Sequence, residues 1–100
     1  DLNQKLENLK PDKEKIINIS QLIDRLEKEF VPRISKLRDN LIIGMINILI
    51  EDLSELAKEH NSIAMQKYTD DLSKMSEDFD LPGIRKVLDY FPVIVAKFKN

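Results

Sequence analysis

The chain has one histidine, His60, and no cysteine. No thiolate nucleophile, disulfide framework or zinc–thiolate site can therefore be built, and a single imidazole cannot form a histidine-pair metal site. Carboxylates remain. Glu51, Asp52 and Glu55 fall within about one helical turn. A di-metal helical bundle needs inward carboxylates with Glu-x-x-His spacing, and that spacing is absent. These acids are expected on a solvated face, with no metal and no cofactor. The two glycines do not form a phosphate-cradling loop. Met45, Met65 and Met75 fall on apolar faces, where thioethers fill core gaps. No residue reads as catalytic, so no enzymatic activity is expected.

The element that must position these groups is Leu41 to Ala57, LIIGMINILIEDLSELA. Leu41 to Ile50 is the only run of ten residues without a charge. It is too short for a membrane span, which needs about twenty apolar residues, and Glu51 and Asp52 follow at once. As a helix it is apolar nearly all round at first and one-sided later. Such a helix must be enclosed by others, which makes it the central helix of a small bundle. Gly44 inside it costs about 1 kcal/mol relative to Ala, and the expected return is close approach by a neighbouring helix. The flanking segments supply four apolar stripes to cover it, so a monomer is expected.

One hundred residues make one domain. Charged residues are 34% of the chain, with hydrophobic residues at 42%, a globular balance. Two glycines and four prolines argue against an all-β fold. Residues 51 to 80 hold nine acids and three bases; residues 81 to 100 hold one acid and four bases. No segment carries the Lys/Arg stripe of a nucleic-acid surface. The N-terminus, DLNQKLENLK, has no signal-peptide pattern. With the missing cysteines this fits a cytoplasmic protein. The chain does not begin with Met, which suggests a piece of a longer protein. Residues 1 to 14 are expected as a linker or N-terminal tail, and 15 to 100 as the domain.

In order, Leu2, Leu6 and Leu9 have helical spacing, ended by Pro11. Ile16, Ile19, Ile23, Leu26 and Phe30, with Leu22, form the stripe of the first firm helix. Asp12, Asn18 or Ser20 can cap it; a late start is favoured, because β-branched residues make a poor first turn. Pro32 predicts a kink or break, followed by a short helix over 33–38. The central helix runs from about Leu41 to Glu59. His60, Asn61 and Ser62 form a turn, and Asn61 or Ser62 can cap the next helix. The next helix, to about Asp78, faces inward with Met65, Tyr68, Leu72, Met75 and Phe79. Asp80 caps a last segment with Ile84, Val87, Leu88 and Phe91, and Pro92 kinks or breaks it before a helical end. The fold class is all-α: an antiparallel up-down four-helix bundle with short extra helical segments at the proline breaks.

The text LIDRLEKEFVPRISKLRDN, then INILIEDLSELAKEHNSIAMQKYTDDLSKMSEDFDLPGIRKVLDYFPVIV, resembles a histidine-containing phosphotransfer (HPt) domain. The resemblance covers roughly residues 20 to 95. It is nearest to the degenerate HPt-like domain at the C-terminal end of bacterial hybrid sensor histidine kinases. It implies a Pro-containing step before the central helix, a helix ending in a run like LSKMSEDFD, and a last helix with Leu and then Phe-Pro. The family's phosphoacceptor motif is His-x-x-Lys-Gly on the central helix. Counting back from LSKMSEDFD, the histidine position falls on Glu51, the lysine on Ser54 and the glycine on Glu55. All three depart from the motif. The resemblance therefore implies a non-catalytic signalling scaffold or regulator that contacts a receiver domain or kinase core, with Glu51, Ser54, Glu55 and Lys58 as its docking face. Two alternatives stand beside it. One is an active phosphotransfer domain using His60. The other is a generic helical interaction module unrelated to phosphorelays. His60 falls at the C-terminal end of the central helix, where the dipole favours a protonated imidazole; a capping or solvated position is expected for it.

Overall fold

Side-chain caps set most of the helix starts in the computed structural model, which describes residues 1–100. Asp1 accepts from the Asn3 N–H at 2.9 Å and opens α1, Leu2–Glu7. Asn18 accepts from the Gln21 N–H and opens α2, Ile19–Arg25, the late start favoured from sequence. Next come α3, Val31–Asp39, and α4, Ile43–Glu59. Ser62 accepts from the Met65 N–H at 3.2 Å and opens α5, Ile63–Glu77. Asp80 accepts from the Gly83 N–H at 2.9 Å and opens α6, Leu81–Asp89. The last helix is α7, Phe91–Lys99, with Pro92 in its first turn. The chain is all-helical, with no strand.

Pro32 does not open a gap. A π-helical turn, Leu26–Phe30, joins α2 to α3 without a break. Proline has no N–H for the carbonyl four residues back, and its ring crowds that carbonyl. Widening the preceding turn relieves the crowding, and the Val31 N–H reaches back five residues to the Leu26 carbonyl. The short helix expected after Pro32 is present as α3, continuous with the helix before it.

Two helices end in left-handed residues. After α4, Asn61 has φ 54°, and the Ser62 N–H returns to the Ala57 carbonyl at 2.8 Å. After α5, Phe79 has φ 51°, and the Asp80 N–H returns to the Met75 carbonyl at 3.0 Å. Both are Schellman closures. Asn is at ease in that conformation. Phe79 is not, and the turn swings its ring outward: it is 71% exposed. The expectation that Phe79 continues the inward stripe of α5 is corrected here, because the helical spacing stops one residue before it.

Ile46, Leu49, Leu53, Tyr68, Leu72, Val87 and Leu88 are all fully buried in one core, as the stripes predict. Leu22, Leu26 and Phe30 join them from the first helical run, and Phe91, Ile94 and Phe98 from α7. Pairwise contacts run antiparallel. Asn47 meets Ser76 and Ser54 meets Gln66, so numbers rise along α4 as they fall along α5. Arg25 meets Glu59 and Arg33 meets Asp52, so α2 and α3 run opposite to α4. The Tyr68 hydroxyl donates to the Val87 carbonyl at 2.6 Å, tying α5 to α6.

Residues 1–14, expected as a linker or tail, send Leu6 and Leu9 into that core. The Lys97 ammonium holds them there. It donates to the carbonyls of Leu6, Glu7 and Leu9 at 3.3, 2.9 and 3.0 Å, and lies 5.3 Å from the centre of the Tyr90 ring. The radius of gyration is 12.5 Å, against about 13 Å for a folded chain of this length, so no segment trails away from the body.

Enclosure of the apolar half of α4 is incomplete. Met45 is 50% exposed and Ile48 53%. No heavy atom of another part of the chain lies within 4 Å of where a Cβ on Gly44 would be. The expected close approach at Gly44 is therefore not made by this chain. Ile46, Leu49 and Leu53 take the inward side, and Met45 and Ile48, away from it on the same turns, stay about half in water.

Candidate functional site

Glu51, Ser54, Glu55 and Lys58 are spaced by three, four and seven, which gathers them on one side of α4. Glu51, Glu55 and Lys58 are exposed. Ser54 lies at the edge, half-buried, where its hydroxyl donates to Gln66 Oε1 at 3.4 Å. The two carboxylates make no ion pair within the chain.

Asp52 and Glu59 leave this face for the groove toward α2 and α3. Asp52 accepts from Arg33 Nη1 at 2.7 Å, and the Arg33 guanidinium lies 5.8 Å from the centre of the Phe30 ring. Glu59 pairs with Arg25. Both arginines stand on the helical run that the π turn joins, so the turn sets where their guanidinium groups meet α4. Two arginines thus face four acids in the groove, Glu29, Asp52, Glu55 and Glu59; of these Glu55 pairs with neither, and Glu51 stands outside the groove. No group of three or more His, Asp or Glu side chains is placed to hold a metal ion.

His60 sits at the C-cap of α4, as its spacing predicts. Of the two positions expected, capping or solvated, it takes the cap and not the solvent: the residue is 2% exposed. Its Nδ1 lies 2.7 Å from the Ile17 carbonyl, and its own carbonyl accepts from the Ile17 N–H at 2.8 Å. Nδ1 must carry a proton to donate to a carbonyl, and Nε2 on the other side of the ring lies 4.0 Å from Glu59 Oε2. Nε2 is buried and makes no hydrogen bond. The ring fastens the segment before α2 to the α4–α5 turn. It does not share the face of Glu51 and Glu55.

Shifted proton affinities fall away from that face. Burial, with Asp89 adding to it, raises the Tyr68 hydroxyl well above its ordinary value. Burial raises the Asp71 carboxyl, against the opposing charge of Lys5. A hydrogen bond to Asp24 raises Lys28.

Gly44, Met45 and Ile48 adjoin the acidic face on its N-terminal side, and sequence reasoning assigned them to the interior. The signal was in the run itself. Ten consecutive uncharged residues go round a helix more than twice, and a helix that keeps one side in water must leave some of them there. No helix is long and apolar enough to cross a membrane. No family model, curated protein or solved structure matches the chain.

Proposed function

We propose that the chain is an HPt-like domain without the phosphoacceptor histidine, part of a hybrid two-component sensor histidine kinase: a cytoplasmic, non-catalytic module that docks a receiver domain or kinase core. In this reading the helices form an up-down four-helix bundle. The run of α2 and α3 is the first helix, α4 the second, α5 the third, and α6 with α7 the fourth. The antiparallel pairings along α4 support that order, as does the proline step before it.

One observation carries the functional reading. The exposed face of α4 at the motif register holds Glu51, Ser54 and Glu55, and the chain's one imidazole is buried at the far end of the helix. Phosphoryl transfer from an aspartyl phosphate needs a nucleophilic nitrogen at close range. Two carboxylates supply none, and they repel the phosphoryl group. His60 would have to break its bond to Ile17 and leave the core to serve. Docking needs only the surface, and that remains.

The test is incubation with a radiolabelled phospho-receiver from the same parent protein, with binding followed in parallel by NMR titration. We expect no label on the domain, and shifts confined to residues around Glu51, Ser54, Glu55 and Lys58. Label that appears on wild type and vanishes in His60→Gln would establish active phosphotransfer instead. No label and no binding would leave a helical interaction module outside phosphorelays.

A further inference from the structure

We propose that α4 carries a self-docking face, and that a second copy of this chain covers it as an antiparallel two-fold pair. Three features of the same exposed stripe lead there. Gly44 has open space where its Cβ would be and no positive φ to require glycine, yet it interrupts a helix where alanine is favoured. One turn further on stands Ile48, exposed, with Met45 beside the notch. The third feature is electrostatic. α4 has no side-chain N-cap, because its cap residue is Ile42. The first ladder bonds come from the Met45 and Ile46 N–H groups, leaving those of Ile43 and Gly44 without an acceptor. Three residues beyond Ile48 stands Glu51, an unpaired acid.

The stripe thus holds both halves of a complement. Gly44 is a notch and Ile48 a knob, about 6 Å apart along the axis. A two-fold axis at the level of Ile46 sets each Ile48 over the partner copy's Gly44. The same operation brings each Glu51 level with the start of the partner's α4. Helical side chains lean toward their own N-terminus, which turns the carboxylate toward the free Ile43 and Gly44 N–H groups across the interface. Acid against helix N-terminus is a favourable pairing, and it is made twice. A parallel pair would instead set Glu51 against Glu51. Self-complementarity in both shape and charge is why the occupant is a second copy rather than an unrelated partner. It also revises the monomer expectation, which assumed that flanking helices cover this run. The inference stands independently of the phosphorelay reading.

One helix face is smaller than the roughly 800 Å² per partner of a standard interface, so the pair is weak, with Kd between about 10 µM and 1 mM. Sedimentation equilibrium of the full chain across that range should show a monomer–dimer equilibrium. Gly44→Leu fills the notch from a position whose Cβ meets no neighbour in its own chain, and should be monomeric throughout with an unchanged helical CD spectrum. Glu51→Gln should weaken the dimer several-fold and reduce its salt dependence. Register is read by cross-linking, since the chain has no cysteine of its own. A mixture of Gly44→Cys and Ile48→Cys chains should oxidise to the mixed disulfide faster than either chain to its own. A wild type that stays monomeric at 1 mM, a dimer that survives in Gly44→Leu, or no preference for the mixed disulfide would overturn the proposal.

Discussion

Tyr68 is fully buried, stacks at 57° against Phe91 with ring centres 5.7 Å apart, and gives its hydroxyl proton to the Val87 carbonyl at 2.6 Å. Tyr68→Phe keeps the ring and removes only that bond. The Val87 carbonyl still accepts from the Tyr90 N–H at 3.2 Å, so it is not orphaned. The loss near neutral pH should be about 1 kcal/mol, the middle of the range for one internal hydrogen bond. High pH reverses the comparison. Burial raises the Tyr68 hydroxyl well above 10 in the folded protein, while in the unfolded chain it ionises near 10. Above that pH the unfolded state binds fewer protons than the folded one, so stability falls as pH rises. The slope approaches about 1.4 kcal/mol per pH unit for one proton. At pH 11 the wild type has therefore lost about 1.4 kcal/mol through Tyr68 alone, and the phenylalanine variant loses none of it. Every other titrating group is shared and cancels in the difference. Urea unfolding at pH 7, 10 and 11 should show the variant less stable at pH 7, the gap narrowing at pH 10, and the order inverted at pH 11. A stability difference that stays constant with pH would refute the assignment of a buried, proton-donating Tyr68.

Leu53→Ala empties a fully buried position on α4 and should cost ~2–5 kcal/mol in chemical denaturation, a large share of the total for a domain of this size. The two glycines should respond in opposite directions. Gly44→Ala meets no neighbour and should raise stability by up to about 1 kcal/mol. A Cβ on Gly83 would come within 2.6 Å of both Asp80 Oδ2 and Met75 Sδ, so Gly83→Ala should lower the melting temperature by displacing the α6 cap. Lys97→Met removes the ammonium shared by three carbonyls of the N-terminal segment. Hydrogen exchange should then speed up over residues 2–9 while α4 and α5 keep their protection.

Local chemistry made much of this chain legible from the sequence. Ser62 and Asp80 are caps because a short side-chain oxygen can meet an N–H three residues on, and that geometry needs no tertiary partner. Ile46, Leu49, Leu53, Tyr68 and Leu72 repeat by three and four, and a helix has only one way to bury such a stripe. The outward position of Glu51, Glu55 and Lys58 follows from the same periodicity. What depended on neighbours could not be read. Leu6 and Leu9 have the spacing of a frayed helix, and it is the tertiary fold that buries them in the core and brings Lys97 to their carbonyls. Pro32 signals a disturbance, but whether the backbone breaks or widens into a π turn depends on what packs against Leu26 and Phe30. Phe79 has the period of the α5 stripe and loses its place to a chain reversal that sets in one residue earlier. His60 was correctly placed at a helix end, yet its burial comes from Ile17, which the fold lays across it. Gly44, Met45 and Ile48 were read as interior because hydropathy reports a preference for leaving water. Which side of a helix its neighbours reach is decided by where they pack, and here they leave Met45 and Ile48 half in water.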